Sequence, residues 1–153
     1  TLSRLNTEFS RTLLTDHFMS AFYAILDTTS GELTYCSAGH PPQLLFRAGG
    51  EVVELTSSGF LLGSIAEAWY ADQSLTMGQG DRLLLYTDGI VEAADSAGEQ
   101  FGRNRIVDTV RRTFASPIED ISSELLSEAV MFLDQPTFQD DVTLIIAELA
   151  EEL

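Results

Sequence analysis

The sequence contains a single cysteine, Cys36. Without a partner it can build no intrachain disulfide framework, and it excludes a cysteine-rich metal site, which suits a reducing cytoplasm. Basic residues are also sparse: 8 Lys and Arg stand against 24 Asp and Glu, a formal net charge of −16. Binding a phosphate backbone requires clustered cations, so nucleic acid is set aside as a partner and a metal cation becomes the better match. No apolar run approaches the roughly 20 residues of a membrane span, and the first residues lack the basic-then-apolar order of a signal peptide, so no membrane partner is expected. Low-complexity tracts, linkers and internal repeats are missing too. What remains is a chain with 44% hydrophobic residues, read as one globular domain over residues 1–153 and long enough to bury a sizeable core.

The apolar pattern divides that domain. Leu2, Leu5, Phe9 and Leu13 fall at helix spacing in "TLSRLNTEFSRTLL", so a helix is predicted there. Such a helix needs a surface to pack on, and one that starts at the first residue, without an initiating methionine, points to a chain cut from a longer one. "FMSAFYAILD" and "LTYCSA" flank the turn signal "TTSGE" and predict a hairpin. "GHPP" ends the second strand because proline has no N–H for the ladder. "QLLFR" and "EVVEL" repeat the strand pattern about "AGG", and the loop "TSSGFLLGS" carries Phe60, Leu61 and Leu62 to pin it to the core. "WYADQSLTM" alternates in part, and "GQGD" turns it into the strand "RLLLYT". From Arg103 the period lengthens: Ile106, Val107, Val110 and Phe114 mark one helix, and Ile121, Leu125, Leu126, Val130 and Leu133 mark another after Pro117. "VTLII" closes the pattern as a strand. Antiparallel strands followed by helices define an α+β fold.

Two places share one design, a carboxylate at the end of an apolar strand. Asp88 follows "LLLYT", while Asp140 and Asp141 precede "VTLII". On spacing alone the ordinary reading is a turn, since Asp-Gly is a common turn pair and Asp-Asp ahead of a strand is often a solvated loop end. The alternative rests on cost: an unpaired carboxylate at a core edge is expensive, basic partners are few, and converging carboxylates suit Mg²⁺ or Mn²⁺. Gly89, after Asp88, would let the backbone turn sharply and approach a ligand closely.

In order along the chain, "FYAILDTTSGELTYCSAGHPPQLLF", "GFLLGS", "GDRLLLYTDGIVEAADSAGEQFG" and "QDDVTLIIAEL" resemble the bacterial branch of the metal-dependent serine/threonine protein phosphatases of type 2C. The nearest group is that of stage II sporulation protein E and the sigma-B regulator phosphatases, and the resemblance runs from about Leu2 to Leu149. It implies two packed antiparallel sheets flanked by helices, an α-β-β-α sandwich with a two-metal site at one edge. It implies that Asp88 and Asp140 are ligands of Mn²⁺ or Mg²⁺, with Asp141 beside them and Gly89 in support. The metals would activate a water for in-line attack on a phosphoserine or phosphothreonine, and no side-chain nucleophile is implied. The implied substrate is a phosphorylated regulatory protein of the anti-sigma-factor antagonist type, in bacterial signalling.

The family's earlier aspartate motif, which completes the metal pair, has no counterpart in these residues. The chain is therefore expected to be an N-terminally truncated phosphatase-type domain lacking the first strands, with weak or no activity alone. Unpaired sheet edges would favour a homodimer. Two rivals stay open: a non-catalytic module of the same fold that binds a regulator, and an acidic metal-binding protein of another kind. Among remaining residues, His40 reads as a turn residue at a strand exit and His17 as surface near the end of the first helix. Cys36 reads as a small buried hydrophobe and Phe101 as the anchor of the loop "AADSAGEQFG". Trp69 and Tyr70 suit either a partner surface or edge packing. Glu92 and Asp95 read as solvated carboxylates, with a role beside the metal as the alternative.

Overall fold

A computed structural model describes residues 1–12, 17–134 and 137–150. Its first elements are α1 (Leu2–Thr12), β1 (Ala21–Leu26), β2 (Glu32–Ala38), β3 (Gln43–Phe46), β4 (Val52–Leu55) and β5 (Gln73–Thr76). They are followed by β6 (Arg82–Tyr86), α2 (Asp88–Val91), α3 (Gly102–Thr113), α4 (Ile118–Phe132) and β7 (Leu144–Glu148). The strands form two antiparallel sheets, β1-β2-β5 and β4-β3-β6-β7, so the expected α+β class holds. The residues gather into two units, Thr1–Pro42 with Glu54–Gly78 and Gln43–Val53 with Gln79–Leu153.

In the first unit β2 is the central strand, pairing with β1 from Leu33 to Ala38 and with β5 from Glu32 to Tyr35. The hairpin turn before it is held by Asp27, whose Oδ1 accepts from the amides of Thr29 (2.9 Å) and Ser30 (3.2 Å). Cys36 is 3% exposed and packs with Leu2, Ala38, Leu62 and Tyr70, the small buried hydrophobe expected of it. Two expectations change. The strand "WYADQSLTM" shrinks to Gln73–Thr76, with Trp69 lying outside it and 75% exposed. The helix α1 buries Leu2 and Asn6, while Leu5 is 41% exposed; Leu13 lies outside the described residues. The polar Asn6 is buried because its amide donates to the carbonyls of Ile65 (2.8 Å) and Ala66 (3.1 Å), while its Oδ1 accepts from Gly63 N (2.8 Å). A buried amide with three partners is satisfied, so an apolar residue is not needed there. The loop before β5 is pinned by fully buried Leu62, whose backbone exchanges hydrogen bonds with Met19, while Phe60 points to solvent.

The second unit is organised around β6, which pairs with β3 on one side and β7 on the other. Leu84, opposite Leu44 and Ile146, lies in a core with Phe46, Ile106, Ile121 and Leu125. The row Ile121, Leu125, Ala129 and Leu133 is the buried edge of α4, whereas Leu126 and Val130 are 41% and 43% exposed. Its apolar stripe is wider than the surface that α3 and β7 offer it. Beneath β6, Asp81 is nearly buried between the Arg47 guanidinium (2.7 Å) and the Ala48 amide (2.9 Å). Arg82 reaches Glu148 (2.7 Å), the Ser116 carbonyl (3.0 Å) and the Phe114 carbonyl, which joins the sheet to the C-terminal end of α3. A cation is favoured there by the exposed carbonyls of the last helical turn.

Candidate functional site

The C-terminal end of β6 is held from both sides. Tyr86 pairs with Leu144 of β7, and on the other side the Gln43 side chain mimics a strand, donating Nε2 to Tyr86 O (3.2 Å) and accepting Tyr86 N at Oε1 (2.7 Å). Thr87 is the last extended residue (φ −84°, ψ 161°), and Asp88 is the first residue of α2. The Asp-Gly pair is therefore not a turn. The chain passes from strand to helix through Thr87, and Asp88 sits in the first turn, where a carboxylate suits the unsatisfied N–H groups.

Gly89 has a different reason from the one its sequence context suggests. Its φ is not positive, so the backbone there does not demand glycine. A Cβ at this position would lie 2.5 Å from the Asp141 carbonyl oxygen, 3.1 Å from its carbon and 3.4 Å from the Asp140 carbonyl carbon. Glycine is required because the backbone bearing Asp140 and Asp141 rests directly on it. The close approach expected of a ligand is made by the chain itself.

Thr87 completes the join, and nothing in the sequence marked it. Its hydroxyl donates to the Asp141 carbonyl (3.0 Å) and accepts from Thr143 N (2.9 Å), while its own amide donates to Thr143 O (3.2 Å). Asp140 is oriented by its neighbour, Oδ1 accepting from Asp141 N at 2.7 Å. The two sequence-predicted segments thus meet at one place in the second unit. Among the described residues none of Asp88, Asp140 and Asp141 has an ion-pair partner within salt-bridge distance. Asp88 is half-buried, and Asp140 and Asp141 are exposed. A cleft of about 240 Å³ opens beside them, lined by Gly89, Glu92, Gln100, Gln139 and Asp140 among others.

The cleft's outer wall is the loop after α2. Phe101 anchors it, 2% exposed, with its amide on the Ala93 carbonyl (2.7 Å) and its ring edge-on to Phe132. Asp95 spends its Oδ1 on the loop's own amides, Ala97 (2.9 Å) and Glu99 (2.8 Å), which leaves Glu92 as the loop carboxylate that faces the cleft. His40 lies in the first unit, its carbonyl accepting from Ser37 Oγ (3.2 Å), consistent with a strand-exit residue; His17 is exposed and outside α1. The donor set at the join is all oxygen, the kind that suits Mg²⁺ or Mn²⁺. It is also small: among the described residues no group of three His, Cys, Asp or Glu is placed to hold a metal ion. No helix among them is long and apolar enough to cross a membrane.

The chain as a whole is similar to known proteins. A family model described as stage II sporulation protein E matches residues 1–150. Protein IcfG of Synechocystis is 30% identical over 84% of this chain and 20% of its own length. Phosphoserine phosphatase RsbP of Bacillus subtilis is 28% identical over 72% of this chain and 26% of its own length, so the chain spans about a quarter or less of these relatives. Among solved structures, the SiaA PP2C domain of Pseudomonas aeruginosa superposes with a TM-score of 0.82 at 21% identity, covering 96% of this chain and 58% of that one. With nearly its whole length matched and its two sheets shared with a PP2C domain, the chain belongs to the stage II sporulation protein E family.

Proposed function

We propose that this chain is the part of a divalent-cation-dependent phosphoserine/phosphothreonine phosphatase that carries Asp88 and Asp140 as cation ligands, with Asp141 and Gly89 in support. The observation that carries the reading is the seating of the Asp140–Asp141 backbone on Gly89, which brings together segments whose carboxylates, 52 residues apart in sequence, have no ion-pair partner among the described residues. A divalent cation relieves the repulsion between carboxylates that are brought near one another. When bound, Mn²⁺ or Mg²⁺ supplies Lewis acidity and an activated water. The residues supply position: β6 and the Gln43 clamp on Tyr86 fix the strand end that leads into Asp88, and α2 begins there, beside a cleft lined by Gly89 and Asp140. A further aspartate from outside these 153 residues completes the cation site. The substrate we infer is a phosphorylated cytoplasmic regulator of the anti-sigma-factor antagonist type, a reading supported by the phosphoserine phosphatase among the relatives.

The small number of candidate ligands among the described residues favours a second reading, in which the chain binds a regulator without hydrolysing it. Calorimetric titration with Mn²⁺ of the chain and of an Asp88→Asn, Asp140→Asn double variant separates the two. Weak binding by the parent chain and none by the double variant is expected. Equal binding by both would sink the shared site. Turnover of a phosphopeptide by this chain alone would overturn the claim that it needs a further aspartate.

A further inference from the structure

Thr87 is placed to do more than end a strand. Its hydroxyl is at once a donor and an acceptor, and both partners lie on the segment that carries the carboxylates: the Asp141 carbonyl at 3.0 Å and the Thr143 amide at 2.9 Å. These are the backbone groups on either side of Val142, so one hydroxyl occupies the place of a ladder pair just beyond the last β6–β7 partners, Tyr86 and Leu144. Asp88 follows it directly, as the first residue of α2. The hydroxyl therefore connects the residue before one carboxylate to the residue bearing another. It spans 54 positions of sequence.

Neither neighbouring contact can replace this bond. The Gly89 approach limits how near the Asp141 backbone comes, but a steric stop does not fix rotation or slip along the strand. The Asp140 carboxylate bond to Asp141 N is local and moves with the loop. Beside the Thr87 amide, which donates to Thr143 O at 3.2 Å, the Thr87 hydroxyl is the side-chain group that ties the 140–143 segment directionally to the Asp88 side, and it alone reaches the backbone of Asp141. Groups that orient metal ligands through hydrogen bonds commonly govern affinity by about 10- to 100-fold without touching the ion.

We infer that Thr87 is a positioning residue: its side-chain hydroxyl sets the distance and orientation between Asp88 and the Asp140–Asp141 pair, and so sets the affinity for a divalent cation. The inference rests on the shared cation site proposed above. Its test is calorimetric titration with Mn²⁺ on the chain, Thr87→Val, Thr87→Ser and Asp88→Asn, with the melting temperature of each measured without metal. Valine keeps the branched shape and removes the hydroxyl; serine keeps the hydroxyl. Thr87→Val is expected to bind Mn²⁺ at least about tenfold more weakly, and Thr87→Ser to bind as the parent does. If valine fails to give a cooperative melt, Thr87→Ala takes its place with the same expectation. A lowered melting temperature with unchanged Mn²⁺ affinity marks a merely structural hydroxyl and overturns the inference, while loss of binding in Asp88→Asn leaves the shared site standing. Unchanged affinity in Asp88→Asn, or no binding by the parent chain, removes the shared site and the inference together.

Discussion

Gly89 shows how far a single residue can be read. Its place after an apolar strand and an aspartate marked it in sequence, yet the reason lay in a contact with residues more than fifty positions away. Gly89→Ala should destabilise the second unit by about 1–3 kcal/mol, because the new methyl meets backbone atoms that have no rotamer to yield. Chemical denaturation of the two forms checks this, and an unchanged midpoint would mean the 140–141 backbone is free to move off. Asp88 and Asp140 were legible for a simple reason, since charge beside an apolar run stands out in any window. Thr87 was not: a threonine at a strand end is ordinary, and its two partners declare themselves only when β6 and β7 are side by side.

At the level of elements, periodicity located both long helices and most strands, and failed where packing was one-sided. The pattern in α1 favoured Leu5 and Phe9 as the inner face, whereas the buried centre is Asn6, which holds the loop at residues 63–66. Hydrophobicity cannot see an amide whose value lies in three backbone partners. Asn6→Ala is expected to cost about 2–3 kcal/mol, since it strips partners from three backbone groups around a fully buried position. That corresponds to a fall in melting temperature of roughly 5–10 °C for a chain of this size. Asn6→Asp should be tolerated no better, since a carboxylate cannot donate to the Ile65 and Ala66 carbonyls. The width of α4's apolar stripe misled in the same way: Leu126 and Val130 share the period of Leu125 and Ala129 but lie to one side of what α3 and β7 cover. A period reveals a face and leaves its occupant open.

For the molecule as a whole, the net charge of −16 turns attention to acid, where the Thr29 and Ser30 amides hold the Asp27 carboxyl below its ordinary 3.8, but three buried groups of the first unit act at the other end of the pH scale. Burial pushes the Cys36 thiol above its ordinary 9.0, and burial likewise pushes Tyr35 and Tyr70 above 10.0. The folded chain keeps these protons where the unfolded chain gives them up, so folding stability is intact below about pH 9 and declines as pH rises past it. Denaturation curves from pH 7 upward should be level to about 9 and then fall, and Cys36→Ala should move the onset toward 10. A level curve throughout would refute the assignment. Chain order has a consequence of its own. The strand that seats Asp140 and Asp141 is the last of the described elements, and β6 waits with one edge open until it is made. On the ribosome, Asp88 emerges more than fifty residues ahead of Asp140 and Asp141, so the two segments can meet only after the later one has been made. A nascent chain stalled before β7 would carry the first carboxylate and an open sheet edge, a species better suited to misassociation than to binding a cation.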